Sequence, residues 1–424
     1  MKAVTGWMIL GTVTLVLAGA SRADAATYCI AEGNLPDHGD PFRDGTIAWA
    51  MRVHGPNNVY VLTTPPGSKS YRLERTLVLP PSTTLTSGAK VRLPSGGTNC
   101  AASAPQPAQL KADPDDMVDG VMVQLGNYSV IDHVDLDGNR TARHAVHGLG
   151  VLYPVIQNSI IHDTKNDYTS EIIVEQVPTR TPHLVFLDHC QGALVYKNIM
   201  RRAGCEPKLN QSQWMGISAA IYAPHNTDLR VDSNDIAQTL SAGVDFTKTF
   251  GAVITNNVIH EIGLNATYAL CTHDSCNGAN DNTHGYIADG ITAYHNGHGE
   301  TNQTISVTWN EIFQYHNHGI HLSGFDLDVE HNYVHDGAYN AIRIADQREP
   351  PDCSSYFSIR YNKVGAGWPT IDGAPNRHEH QPILIANYKT GAVFDLIDNV
   401  FLDDWRPQIY APTPDCSPCG TPCH

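Results

Sequence analysis

Five residues of this sequence hold equivalent places and carry groups able to act on sugars. Tyr222, Asp245, Thr292, His321 and Arg343 each follow one apolar residue (Ile221, Val244, Ile291, Ile320 and Ile342) in a short apolar run. Along a strand neighbouring side chains face opposite ways, so with the apolar residue inward the next one points outward. Stacked at ~4.8 Å per coil, Asp245, Thr292, His321 and Arg343 form one row about 15 Å long. Tyr222 extends the row and Tyr294 stands beside it. Acid, phenol, imidazole and guanidinium in one groove suit sugar chemistry, and a long shallow sheet suits a polymer.

Two reactions fit these groups. In β-elimination on a uronate, a cation neutralises the carboxylate, a base takes the C5 proton and an acid protonates the leaving oxygen. Arg343 suits the first task, His321 the second and Tyr294 the third. Asp245, or the acidic group Asp326, Asp328 and Asp336, would supply oxygen ligands if Ca2+ did the neutralising. Hydrolysis instead needs paired carboxylates flanking the bond. Tyr222, Lys248, Thr292, His295 and His298 are the expected substrate-binding groups. The interval of 53 residues from Asn257 to Asn310 reads as a wall of the groove. These residues also have plainer readings. Asp289 and His318 would serve simply to hold Gly-Ile turns, and His295, His298, His316, His331 and His335 to decorate solvated turns. His378-Glu379-His380 reads as an exposed loop.

The elements that position these groups repeat along the chain. Aligned on Asn158, Asn198, Asn234, Asn257, Asn310, Asn332, Asn362 and Asn399, the residues five before, three before and two after are apolar at all 24 places. At 41% hydrophobic composition, chance gives about ten. The earlier two alternate with polar neighbours, as in a strand with one buried face. The Asn is expected to turn the chain in the left-handed conformation and to bond the Asn of the next coil. Val130 to Val134 fits the same frame with His133 at the Asn position. The closest spacings, 23 and 22 residues, predict a right-handed parallel β-helix, an all-β solenoid with loop insertions.

Ahead of the repeat, Asp44 to Val53 reads as a short amphipathic capping helix. It is followed by Val59-Tyr60-Val61-Leu62, Pro65-Pro66-Gly67, Tyr71-Arg72-Leu73, Thr76-Leu77-Val78-Leu79 and Thr84-Leu85. This order resembles the entry segment of the pectate-lyase-like β-helix superfamily. With the repeat, the resemblance covers roughly residues 40 to 405. It implies the architecture. Its members include polysaccharide lyases, often Ca2+-dependent, glycoside hydrolases, uronate epimerases and non-catalytic adhesins. Asp289-Gly-Ile291, His318-Gly-Ile320 and Ile342-Arg-Ile344 are similar to three blocks of the polygalacturonase family. That likeness implies Asp289 as a catalytic carboxylate, with His318 and Arg343 assisting. Ala288, Ala242 and Ala345 depart from it at three expected catalytic positions, which places hydrolysis second.

Lys2, the apolar run Trp7 to Ala20 and Ala23-Asp24-Ala25 read as a signal peptide over residues 1–25. The rest divides into an N-terminal cap (26–90), the β-helix (91–405) and a Pro/Cys-rich tail (406–424). The chain carries 27 Lys and Arg against 43 Asp and Glu, a balance of −16. Without Lys2, Arg22 and Asp24 it stands at 25 against 42, or −17. That balance argues against a nucleic-acid partner or a basic membrane-surface protein. No later stretch is apolar enough to span a membrane. Its 22 His make the surface sensitive to mild acid, and binding of an acidic glycan is expected to strengthen as pH falls through ~6.5. Ten Cys favour disulfides, and five N-x-S/T sites (Asn127, Asn139, Asn210, Asn265, Asn302) matter if the source glycosylates.

The expected protein is a secreted, extracellular or periplasmic, monomeric polysaccharide lyase, with no cofactor required unless Ca2+ is recruited. A polygalacturonase-like hydrolase comes second. A non-catalytic carbohydrate-binding or structural β-helix comes third.

Overall fold

The computed structural model describes residues 25–30, 35–63, 70–87, 100, 106–117, 120–165, 182–204, 218–239, 241–263, 289–293, 302–315, 317–337, 340–346, 355–365, 382–386, 392–402 and 409–410. The signal-peptide reading lies outside these residues except for Ala25, and the tail reading except for Ile409–Tyr410, which pairs in parallel with Ile383 and Leu384. One coil consists of three short strands, such as Leu194–Tyr196, Ile199–Ala203 and Ala219–Tyr222. The next coil repeats them as Arg230–Asp232, Asp235–Thr239 and Ala242–Asp245. Each strand pairs in parallel with its counterpart one coil on, which builds three parallel sheets around a right-handed β-helix. The strand Ile320–Glu330 runs from the third sheet into the first without a break.

The core is a file of apolar side chains along the helix axis. On the third sheet Ile221, Val244, Ile291, Ile320 and Ile342 stand in register and are wholly buried. Fully burying each such side chain contributes roughly 1.5–3 kcal/mol. At the entry, a helix spans Ile47–His54. The Thr46 hydroxyl accepts the Trp49 N–H at its start, and Gly55 ends it at φ 77°. Ile47, Ala50 and Met51 enter the same core.

The Asn ladder is real, but its register differs from the sequence alignment at one point. Asn198, Asn234, Asn257, Asn310, Asn332 and Asn362 each donate backbone N–H and side-chain Nδ2 to Oδ1 of the next Asn, 2.9–3.0 Å away. In the preceding coil the member is Ser159, whose N–H donates to Asn198 Oδ1 at 3.0 Å. Asn158 stands one place earlier, where it faces His133 rather than the ladder. The left-handed turn also falls on that earlier place. His133, Asn158, Lys197, Ser233, Asn256, Trp309, His331, Tyr361 and Asp398 all have φ near +50 to +58°. The ladder Asn is therefore required by its amide, which satisfies buried backbone groups at each corner, and not by backbone conformation.

A second ladder lines the corner that follows the third sheet. Cys190 N–H donates to Asn226 Oδ1, Asn226 N–H to Thr249 Oγ1, and Thr249 N–H to Asn302 Oδ1. Two expectations change here. Cys190 is a buried thiol outside any disulfide, and burial pushes it up to about 11. Asn302 is 3% exposed and donates inward to the Ala293 and Ser323 carbonyls, so it cannot carry a glycan in the folded chain. Cys29 and Cys100 are paired, with Cα atoms 5.5 Å apart.

Candidate active site

The expected row exists in the predicted register. Tyr222 faces Asp245, Asp245 faces Thr292, Thr292 faces His321 and His321 faces Arg343 on successive coils of the third sheet. Leu384 follows Arg343. The row is not an open groove floor. Tyr222, Asp245, Thr292 and His321 are 5%, 2%, 0% and 4% exposed, and Arg343 alone is partly exposed. The short side chains of Asp245 and Thr292 sit between the larger Tyr222 and His321. Phe186 and His183 stack on Tyr222, with ring centroids 5.5 and 4.7 Å apart.

A second row flanks the first. His144, His183, Ala219, Ala242, Asp289, His318 and Asn340 share one register position at the start of the same strands. Strict alternation would turn Asp289 and His318 inward with Ile291 and Ile320. A bend at glycine prevents this. A side chain on Gly290 would strike the core residue Ile312, and one on Gly319 would strike Val334, so both positions face inward beside their Ile neighbours. Two consecutive inward positions leave both flanking residues on the outer face, as at a bulge. Asp289 and His321 meet for that reason. Farther down, Ala219 and Ala242 are small, and Phe186 and Tyr222 cover them.

Asp289 is the hub. Its Oδ1 accepts the His318 N–H at 2.9 Å and Asn317 Nδ2 at 2.8 Å. Its Oδ2 lies 3.1 Å from His321 Nδ1, and the Thr292 hydroxyl also donates to it. Arg343 Nη1 donates to His318 Nε2 at 3.1 Å. A guanidinium has no acceptor, so that imidazole nitrogen carries no proton. The His318 and His321 rings meet edge to face at 4.7 Å.

Burial dominates the electrostatics. It pushes Asp245 up to about 8, with the neighbouring Asp289 adding to the shift. No hydrogen bond to Asp245 Oδ1 occurs among the described residues. Burial raises Asp289 as well, against the lowering effect of His318 and the donors on its oxygens. Both imidazoles fall well below 6.5, His321 through burial and then the Arg343 charge, His318 through burial and then His321. Tyr222 is raised by burial and by Asp245. At neutral pH the cluster thus holds a protonated acid, two neutral imidazoles and a guanidinium.

The remaining expected residues are placed as follows. Tyr294, His295, His298, Ala288, most of the interval from Asn257 to Asn310 read as a groove wall, and His378-Glu379-His380 lie outside the described residues. Lys248 lies on the corner beyond the sheet at φ 53°, next to Thr247, whose carbonyl accepts the His225 N–H. Asp326 and Asp328 belong to the first-sheet end of the long strand, and Asp336 pairs with His335 Nδ1 at 2.8 Å. They do not share the row with Asp245. The mild-acid sensitivity expected of the histidines does not extend to His321, which burial and then the Arg343 charge take well below 6.5. Sequence reasoning missed Asn317, whose amide fixes Asp289. It also missed Asp188 with His189 and His225, which lie where the chain turns and periodicity gives no signal.

No family model matches this sequence, and no curated protein matches it. Solved structures do resemble it. Pectate lyase Pel9A is 12% identical, with a TM-score of 0.46 over 95% of this chain and 82% of that one. An alginate lyase from Paenibacillus sp. str. FPU-7 is 12% identical, with a TM-score of 0.45 over 91% of this chain and 99% of that one. The Dettilon tailspike protein is 12% identical, with a TM-score of 0.46 over 88% and 68%. The likeness lies in how the chain winds and does not extend to a reaction.

Proposed function

We propose that this protein is a carbohydrate-active enzyme that cleaves a uronate-containing polysaccharide by β-elimination. The observation that carries this reading is the contact of Asp289 Oδ2 with His321 Nδ1 at 3.1 Å, one coil from Arg343. Asp289 holds the ring so that Nε2 is the basic end, and the imidazole is neutral at working pH. Arg343, the partly exposed member, is the first group an approaching carboxylate meets. Its charge stabilises the negative charge that develops on that carboxylate as the C5 proton leaves.

In the reaction, His321 Nε2 takes the C5 proton. The C5 electron pair forms the C4–C5 double bond as the C4–O bond breaks, and the leaving oxygen takes the Asp245 proton. Asp245 then recovers a proton from the imidazolium through water. Tyr222 and Thr292 flank Asp245 along the row and fix its position. The sequence alone points to Tyr294, which lies outside the described residues, for the acid role. Asp245 takes that role here because its carboxyl stays protonated to about pH 8.

Hydrolysis fits less well. It needs an ionised carboxylate free to attack or to activate water. Both oxygens of Asp289 are engaged by donors, and Asp245 is protonated. The test is incubation with pectate, alginate, glycosaminoglycan and neutral glycans, reading both unsaturated-uronide absorbance and reducing ends. Elimination yields both signals on a uronate polymer. Reducing ends without the absorbance would overturn it in favour of hydrolysis, and neither signal on any polymer would favour a binding module. The secreted location belongs to the same proposal and is tested by recovering the mature chain outside the cytoplasm.

A further inference from the structure

Four groups of metal-ligating side chains converge among the described residues. Three of them already hold a protein cation. Arg202 is paired with Asp163 and Lys111 with Asp137 beside His162. Arg72 is paired with Asp113 beside Glu74 and Asp116. Arg343 donates to His318 in the cluster around Asp289. A metal ion in any of these would face a positive charge a few ångströms away.

The fourth group is different. Asp188 Oδ1 lies 2.6 Å from His189 Nδ1 and 3.0 Å from His225 Nδ1. No Arg or Lys is ion-paired with Asp188 among the described residues. His189 and His225 occupy the same left-handed corner position on consecutive coils, at φ 53° and 56°. Their rings stack at 4.4 Å, 20° from parallel. The Cys190–Asn226 hydrogen bond of 2.8 Å fixes the corner directly behind them. Donor convergence is therefore set by the coil spacing and by a rigid backbone rather than by a chance meeting of surface side chains.

We propose that Asp188, His189 and His225 form a site for a divalent transition-metal ion of the zinc class, with an open coordination position. Two imidazoles and one carboxylate suit such an ion better than Ca2+ or Mg2+, which take oxygen ligands. The three donor atoms lie within 4.8 Å of one another. A tetrahedral ion at ~2.0–2.1 Å from each ligand needs donors about 3.3 Å apart. The His189 side chain is 61% exposed, which leaves it room to turn toward that spacing, while the Asp188 side chain is 17% exposed. Three protein ligands leave one position for water or a ligand oxygen. This site stands apart from the elimination chemistry and does not depend on it.

The test uses the full mature chain, stripped with chelator and titrated with Co2+. The readouts are the visible absorption of bound Co2+ and the metal-to-protein ratio by native mass spectrometry. His189→Ala is the main variant, because its exposed side chain can be removed without unfolding the corner. Asp188→Asn is the second, with thermal unfolding to check the fold. The wild type is expected to bind one more Co2+ than either variant, with Co2+ absorption that Zn2+ displaces. The same stoichiometry and spectrum in wild type and His189→Ala would overturn the site, and so would no binding by the wild type.

Discussion

Replacing Asp245 by Asn removes a titrating group while keeping the shape of the side chain. Asp245 is 2% exposed, and burial together with Asp289 raises its carboxyl from 3.8 to about 8. Tyr222 and Thr292 face it along the row, and the neutral imidazoles of His318 and His321 with the Arg343 guanidinium complete the surroundings of Asp289. An acid whose value is raised in the folded state favours folding fully below its unfolded value and loses that contribution as pH rises through the folded one. Here the window runs from 3.8 to about 8. Four units at ~1.36 kcal/mol each set an upper figure of roughly 5 kcal/mol, and local water entry reduces it to roughly 3–5 kcal/mol. Asn cannot ionise, so the variant keeps what the wild type loses. The assay is urea unfolding of both proteins at intervals from about pH 4 to about pH 9, comparing extrapolated free energies. Groups common to both proteins largely cancel in the difference. The variant should match the wild type near pH 4 and exceed it by roughly 3–5 kcal/mol near pH 8. A difference that stays flat across that window would refute the buried, protonated state of Asp245.

Further outcomes follow from the same structure. If Asp245 supplies the proton to the leaving group, polysaccharide cleavage should fall as pH rises through about 8, and Asp245→Asn should be inactive at every pH; a pH–rate profile of both proteins checks this. Asn257→Ala removes the acceptor for two donors of Asn234 and the donor to the Val231 carbonyl, all buried. It should cost roughly 2–4 kcal/mol in urea unfolding, and a loss well under 1 kcal/mol would mean the ladder contributes little. On the second sheet, burial alone would lower His162, but hydrogen bonds to Asp135 and Asp163 more than offset this and hold it up at about 9. Its contribution is therefore full below its ordinary 6.5 and is lost as pH rises through about 9, at most roughly 3 kcal/mol. His162→Gln should abolish that part of the slope, and an unchanged slope above about pH 7 would contradict the pairing.

The architecture was legible in the sequence because one side chain in two faces the core, and Val244, Ile291, Ile320 and Ile342 keep that period through loops of any length. The register of Asp245, Thr292, His321 and Arg343 followed from it directly. Four features were hidden for physical reasons. The left-handed corner holds Lys197, Trp309 and Tyr361 as well as Asn158 and Asn256, so an Asn in the sequence marks the ladder only when its amide reaches the next coil. Asn158 and Ser159 are neighbours that can each be taken for the ladder member, and hydrogen bonding selects Ser159. Gly290 and Gly319 break the alternation by facing inward beside an Ile, which carries Asp289 and His318 to the outer face. The burial of the row depends on which side chains of two adjacent rows are long, and a single strand pattern does not contain that information.

The central claim is that the Asp289-held imidazole of His321 is the base that starts the cleavage. The most direct test is the rate of polysaccharide degradation by His321→Ala beside the wild type, on the polymer the wild type cleaves, with circular dichroism to confirm the fold. The account predicts a loss of roughly 10²–10⁴-fold with native circular dichroism. A folded His321→Ala protein that degrades the polymer at the wild-type rate would contradict it.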